Sequence, residues 1–272
     1  MVLGAGDVLA RLDLSGLEYF RGEHGVLILG DSKEVLRRLP SASVDAVITD
    51  PPWGVGFDEY DDFNVFLQVR DELYRVLKPD SWLVFFFTPK RVYDLQPYLQ
   101  RFRYVWMIPY IFAGFGSVSR NPLGSQAAYS IVMVFAKGEP KVKASRKDVI
   151  YSDELPVVEG NIKEPQFKPT FTVSVLLTMF TREGDLVLDP FAGYGSIPLV
   201  CELFNRKWIA VEIDPVKYQI ARRVIETRRV PNIGRLKEEI AGPRSPAKPL
   251  TQFLGGPVAR EEASGASDEG ET

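Results

Sequence analysis

Short apolar runs that stop at an acid recur along the chain. Residues 25–31 read GVLILGD, residues 43–50 SVDAVITD, residues 185–189 DLVLD and residues 208–214 WIAVEID. Runs this short and this rich in Val and Ile predict strands buried on both faces. Between them the pattern changes to helical spacing: FNVFLQVRDELYRVL has apolar residues at 63, 66, 67, 73, 74 and 77. SKEVLRRL predicts a short helix before Pro40, KPDS a turn into the strand WLVFFFT, and residues 90–100 a further helix. Aromatic-rich strands are expected at about 103–112 and 129–136, joined by a long loop containing FGSVSRNPLGSQ. VSVLLTMF, IPLVCELFNR and PVKYQIARRVIETR complete the predicted helices. Strands alternating with helices predict an α/β fold with a Rossmann-like, doubly wound, mostly parallel sheet.

The pattern also divides the chain. Residues 1–24 form an N-terminal extension without an assigned role, and residues 25–241 one α/β domain. Within the domain a Lys- and Pro-rich stretch without periodicity covers about 138–166. From residue 242 to 272 Pro, Gly, Ser and Glu dominate, which predicts a disordered tail.

Composition removes several chemistries. A single cysteine, Cys201, rules out an internal disulfide and a cysteine-rich zinc site, and the lone His24 argues against a Ser-His-Asp or Cys-His nucleophile. Both are expected to be structural. No run of 18 apolar residues signals a membrane span, and the first residues lack the pattern of a signal peptide. A cytoplasmic protein is expected. Of the net charge of −3, the tail's three basic and five acidic residues supply −2. Any nucleic-acid contact must therefore come from a local patch.

In a doubly wound sheet, ligands bind beyond the carboxyl ends of the strands. Asp31, Asp50, Asp189 and Asp214 all stand at predicted strand ends, with Glu212 close to the last. In VLDPFAGYGSIPLV, Gly193 and Gly195 allow a tight strand-to-helix turn and a close ligand approach, and Glu212 follows Asp189 by 23 positions. That spacing suits an acid on a ribose diol. The turn is neither GxGxxG nor a P-loop, so a nucleoside cofactor without a phosphate chain fits best. At ITDPPWGVG, an Asp50 carboxylate and a Pro51 carbonyl offer two acceptors, and Trp53 a flat ring. Two acceptors beside a ring suit the exocyclic amino group of a base, with stacking worth ~1–3 kcal/mol.

DPPW (50–53) and DPFAGYGS (189–196) resemble the catalytic and cofactor motifs of the amino-group-specific, S-adenosylmethionine-dependent DNA methyltransferases. Their order, catalytic motif first, resembles the circularly permuted arrangement called the beta class. The resemblance covers roughly residues 25–230. It implies direct methyl transfer to an amino nitrogen at Asp50, Pro51, Pro52 and Trp53, without a metal or a covalent enzyme intermediate. It carries Asp31, Lys168, Pro169, Asp189, Phe191, Gly193, Gly195 and Glu212 over to the cofactor, Asp31 near its adenine and Lys168 and Pro169 on the methionine side. Asp in the first motif position favours adenine N6 over cytosine N4. Cys201 lies in a helix after the Gly-rich turn, which disfavours cytosine C5 chemistry. The segment 138–166 corresponds to a short target-recognition insertion. DNA contact is expected from Lys141, Lys143, Arg146 and Lys147, with Lys137, Arg101, Arg103 and the loop residues Arg120 and Asn121 as further candidates. A base amino-methyltransferase acting on RNA and, from another class, a non-catalytic clamp-associated module remain as alternatives.

Inside the tail, KPLTQFLGG places Leu250, Phe253 and Leu254 in an apolar island. The spacing resembles a sliding-clamp-binding peptide over 247–254, with Ala247 where Gln belongs and Leu254 in place of an aromatic. A tethered apolar anchor is a common partner-binding device.

Overall fold

A computed structural model describes residues 4–56, 59–111, 128–151, 157–160 and 166–241. One sheet contains β1 (Glu18–Arg21), β2 (Gly25–Leu29), β3 (Val44–Thr49), β4 (Leu77–Phe87), β5 (Arg103–Ile111), β6 (Tyr129–Lys137), β7 (Ile150–Tyr151), β8 (Leu186–Asp189) and β9 (Lys207–Glu212). Their order across the sheet is β1-β2-β9-β8-β3-β4-β6-β5-β7. The strands β2, β9, β8, β3 and β4 run parallel, and β6 is antiparallel to both β4 and β5. The expected mostly parallel α/β sheet is present.

Successive side chains of a strand point to opposite faces, and here both faces are covered. Phe85 and Phe87 of β4 enter one core with α2 (Ser32–Arg38) and α3 (Phe63–Val76). Val84 and Phe86 enter the other with α4 (Thr170–Phe180), α5 (Ser196–Leu203) and α6 (Pro215–Thr227). Helix α3 shows how locally this is specified. Asp62 caps it by accepting from Asn64 N, and Phe63, Phe66, Val69, Leu73 and Val76 form its buried stripe. Truncating one of these large side chains to Ala costs about 2–5 kcal/mol. Asp31 and Asp214 cap α2 and α6 in the same way. A strand-ending acid thus doubles as the start signal of the following helix.

The structure refines the expected elements and adds to them. KPDS is not a break before a strand but an excursion within β4: the register shifts between the pairs Val44/Leu77 and Ala46/Trp82, and Asp80 takes a left-handed φ of 53°. The helix expected over 90–100 is present as a 3-10 helix, Pro89–Gln100, with Pro97 inside it and non-helical angles at Arg91. The N-terminal residues join the sheet: α1 (Ala5–Arg11) leads to β1, which pairs antiparallel with β2. The turn after β1 is tied down by the buried Glu202 carboxylate, which accepts from Glu23 N, from His24 N at 3.0 Å and from Trp208 Nε1 at 2.6 Å. A further helix, α7 (Ile233–Ala241), follows α6.

Cys201 is fully buried, and burial pushes its thiol far above the ordinary range. Among the described residues no helix is long and apolar enough to cross a membrane.

Candidate active site

The parallel strands deliver four acids to one edge of the sheet. Asp50 follows β3, Asp189 ends β8, Glu212 ends β9 and Asp31 stands two residues beyond β2. Thr49 Oγ1 donates to Asp189 Oδ1 at 2.7 Å across the β3–β8 pair, and Phe191 N donates to the same oxygen at 3.2 Å. Asp189 Oδ2 is buried and has no hydrogen-bond partner among the described residues. Burial pushes the Asp189 carboxyl up to about 7, against its two hydrogen bonds and with the help of the Asp50 and Glu212 charges. Glu212 is also buried and pushed up to about 7, although Asp214 N and Gly193 N donate to its two oxygens at 2.8 and 2.7 Å.

The two glycines of the Gly-rich turn do different work. Gly195, at φ 85°, is the N-cap of α5, and a Cβ there would stand 3.0 Å from the Ala221 Cβ of α6. The missing side chain lets α5 approach α6. At Gly193, with φ 54°, a Cβ would meet nothing within 4 Å, so open space lies beside the turn. Ser32 Oγ donates to Pro190 O and ties α2 to the same turn. Phe191 packs on the α3-side core, its ring in an edge contact with Phe66.

At Asp50 the two carboxylate oxygens have unlike surroundings. Lys168 Nζ lies 2.6 Å from Oδ2, whereas Oδ1 is buried and has no hydrogen-bond partner among the described residues. Burial raises the carboxyl above its ordinary range, and Lys168 is the largest influence opposing it. Pro51 is buried and Pro52 half-buried. Trp53 is half-buried between the two cores, with Nε1 donating to Phe86 O at 3.2 Å and Lys168 Nζ 4.9 Å from its ring centroid. Pro169 is the N-cap of α4 and sets Lys168 just ahead of that helix.

Two residues that sequence reading passed over hold the segment after Trp53. The Asp61 carboxylate accepts from four consecutive amides: Trp53 N and Gly54 N on Oδ1, both at 2.7 Å, and Val55 N and Gly56 N on Oδ2, both at 2.8 Å. From the carbonyl side Arg91 donates to Trp53 O at 2.7 Å and Gly54 O at 3.2 Å, while its guanidinium covers the Phe63 ring at 4.5 Å. The acid-rich run DEYDD announced a local acid, but not which of its four carboxylates would turn back on the loop.

The expected basic groups lie elsewhere. Lys141, Lys143, Arg146 and Lys147 are exposed, and Lys143 N donates to Met179 O at 2.7 Å in the last turn of α4. Lys168 precedes the first turn, and the 11 residues of α4 separate the two ends by roughly 16 Å. Arg101 and Arg103 stand near the start of β5, the first bonded to Asp71 and the second to Gly138 O. Lys137 is engaged by the fold: its ammonium donates to Tyr74 O and Leu77 O at 2.6 Å, satisfying carbonyls at the end of α3. Arg120 and Asn121 lie outside the described residues, as do Leu250, Phe253 and Leu254.

Comparison with known proteins gives the site a family. The type II methyltransferase M.BamHI of Bacillus amyloliquefaciens is 31% identical over 242 residues, covering 72% of this chain and 56% of that protein. The DNA adenine methyltransferase YhdJ of Escherichia coli is 27% identical over 240 residues, covering 72% and 80%. Among solved structures, the cytosine-N4-specific PvuII DNA methyltransferase shares the fold at a TM-score of 0.59, with 21% identity over 81% of this chain and 97% of that one. The M1.HpyAVI–SAM complex does so at 0.58, with 20% identity over 72% and 97%. The profile of the N6/N4 DNA methylases matches residues 44–223, from the first residue of the strand before Asp50 into the helix after Glu212. By that match the chain belongs to the N6/N4 DNA methylase family.

Proposed function

We propose that this chain transfers a methyl group from S-adenosylmethionine to the exocyclic amino group of a DNA base, adenine N6 first, and that it is of the permuted beta class. The observation that carries the reading is Asp50 Oδ1, a buried carboxylate oxygen without a partner at the end of β3. Leaving such an acceptor unpaired costs about 1–3 kcal/mol, which a ligand's N–H would recover. An amino group carries two N–H donors and a lone pair delocalised into its ring. Asp50 Oδ1 accepts one hydrogen and the Pro51 carbonyl the other, drawing the nitrogen toward tetrahedral geometry. Pro52 stiffens the segment and Trp53 offers its ring to the base. In a duplex the base must leave the stack, at a cost of a few kcal/mol.

The neighbouring groups suit the methyl donor. Asp189 Oδ2 is a second buried acceptor without a partner and fits the donor's ammonium group. Glu212 stands beside the turn to take ribose hydroxyls, Asp31 and Phe191 flank the adenine, and the open space at Gly193 admits the ligand. Bound S-adenosylmethionine would supply a sulfonium methyl group for the nitrogen, the C–S electron pair staying with its sulfur, and the methylated nitrogen would lose one proton to solvent. The ionised Asp50 steadies the positive charge on the nitrogen until that proton leaves.

Asp at the first motif position supports adenine, as does the likeness to YhdJ. Cytosine N4 is the second reading, because one carboxylate and one carbonyl accept from either amine. Lys141, Lys143, Arg146 and Lys147 bind flanking phosphates, and neutralising any one of them lowers the salt slope of DNA binding by about one. The segment 247–254 docks on a sliding clamp through Leu250, Phe253 and Leu254; unchanged clamp affinity in Phe253→Ala removes that part.

The test is to incubate duplex DNA, single strands and tRNA with labelled S-adenosylmethionine and identify the labelled nucleoside. Label on adenine N6 of DNA is expected, with Asp50→Ala inactive and its cofactor affinity within about twofold of wild type. Label confined to tRNA, or wild-type transfer by Asp50→Ala, overturns the reading.

A further inference from the structure

Asp50 and Lys168 form the most deeply placed ion pair of the active edge. The lysine side chain is 6% exposed, and its ammonium stands 2.6 Å from Asp50 Oδ2. The same ammonium lies 4.9 Å from the centroid of Trp53 and 5.6 Å from that of Phe86. Lys168 therefore touches both side chains of the proposed base-binding segment, and it does so from the opposite side of the sequence, just ahead of α4.

The geometry constrains what this lysine can do. An ammonium has three N–H donors and no acceptor, so it cannot bind an amino group. It occupies Oδ2 and leaves Oδ1 as the open acceptor of the pair. The other titratable groups that face Asp50 are Asp61 of the loop, Asp189 of β8 and Tyr110 of β5. Two of them are acids and the third is a phenol, so none of the three can supply a positive charge.

We propose that Lys168 is a positioning residue for Asp50: it pins Oδ2, keeps the carboxylate charged, and so holds Oδ1 ready to accept from the amino group of the base. The inference rests on the reading of Asp50 as the base-binding carboxylate. It moves Lys168 from the methionine side of the cofactor, where the family resemblance puts it, to the base.

The charge matters because a protonated carboxyl would turn a hydrogen-bond donor toward another donor. Burial pushes Asp50 upward, Asp61 adds repulsion, and Lys168 pulls the other way. Removing the cation takes away the largest influence opposing burial and leaves only the weaker Trp53 hydrogen bond, so Asp50 takes up its proton at a higher pH. The acid limb of the rate profile then moves to higher pH, and the alkaline rate is spared.

The experiment measures single-turnover methyl transfer against pH at saturating S-adenosylmethionine, and cofactor affinity by calorimetry, for wild type, Lys168→Met and Lys168→Arg. Lys168→Met is expected to lose about tenfold or more at pH 6.5, to recover by pH 9, and to keep cofactor affinity within about threefold. Lys168→Arg, which retains the charge, keeps the wild-type limb. If the Met variant fails to fold, Lys168→Gln takes its place, since its amide still donates to Oδ2 without the charge, and the same upward limb is expected. An unmoved limb overturns the proposal, and an unmoved limb with cofactor affinity down tenfold returns Lys168 to the methyl donor. Wild-type transfer by Asp50→Ala would remove the reading of Asp50 itself. An inactive Asp50→Ala beside an unmoved Lys168→Met limb removes only the role of Lys168.

Discussion

Asp50–Gly56 and Asp189–Gly195 are two versions of one turn. Each begins with Asp-Pro at the end of a parallel strand and has glycines at the fifth and seventh positions, DPPWGVG and DPFAGYG. Their glycines match in φ, at 65° and 83° for Gly54 and Gly56 and at 54° and 85° for Gly193 and Gly195. What differs is the support. The second turn is built into the fold, since Gly195 begins α5 and presses on Ala221 of α6. The first runs exposed from Gly54 to Gly56 and is held by charged side chains, Asp61 on its amides and Arg91 on its carbonyls. A turn held by two side chains can open without unfolding the sheet, whereas a turn packed between helices cannot. That division agrees with the proposed function, in which the Asp50 turn admits a bulky polymer and the Asp189 turn receives a small molecule.

The largest effect is therefore expected at Asp61. Asp61→Ala frees four amides at once, and the Trp53 ring loses the backbone that aims it. Displacement of about 1 Å at a reacting group can cost ~10²-fold, and a loss of that order in kcat/KM for DNA is expected. Cofactor affinity and the melting temperature should stay near wild type, because the loop is exposed. A fall in melting temperature as large as that of a core mutant would mean that the two turns are supported alike. Asp61→Asn should lie between the variants, since its single carbonyl oxygen can serve only part of the four donors.

Gly195→Ala tests the other side of the comparison. Its new Cβ meets the Ala221 Cβ at 3.0 Å in a backbone conformation that L side chains rarely adopt. The expected cost is ~1–3 kcal/mol, or several degrees in the melting temperature at ~2–4 °C per kcal/mol. Gly56→Ala carries the same strain in φ but meets nothing within 4 Å. It should cost less stability than Gly195→Ala, since only the strain in φ remains, and more activity. Equal melting temperatures for the two variants would break the distinction between a packed turn and a latched one.

How much of this was legible beforehand follows the same division. The alternation of apolar runs and helical stretches carried the sheet, because burial on both faces forces short, largely apolar runs in β2, β3, β8 and β9. DPPW and DPFAGYGS were legible because proline restricts the backbone and glycine frees it wherever they occur. The latch was not, because Asp61 and Arg91 act through backbone N–H and C=O groups that every sequence carries. Strand β1 was hidden for a related reason: EYFR is exposed along most of its length, so no apolar alternation marked it. The excursion at Asp80 escaped because a turn residue inside a strand reads as the end of that strand. The pairing of Lys168 with Asp50 joins residues 118 positions apart and has no local signal at all.

The smallest effect separates the acids at the heads of the two turns. Asp50 has a cation on one oxygen, whereas Asp189 has only the Thr49 hydroxyl and the Phe191 amide. Asp189 is pushed up to about 7 from an ordinary 3.8. With the folded value above the unfolded one, the folded chain binds more protons across that interval. The stability contributed by the neutral carboxyl is full below the unfolded value and is lost as pH rises through the folded one. Asp189→Asn removes this dependence while keeping an oxygen to accept from Thr49. The melting temperature of Asp189→Asn minus that of wild type should therefore climb from pH 4 to pH 7 and level off above it, when both are measured without ligand. A difference that stays flat would mean that the Asp189 carboxylate finds as good a counter-charge in the fold as Asp50 does, and the two turns would then be electrostatically equivalent.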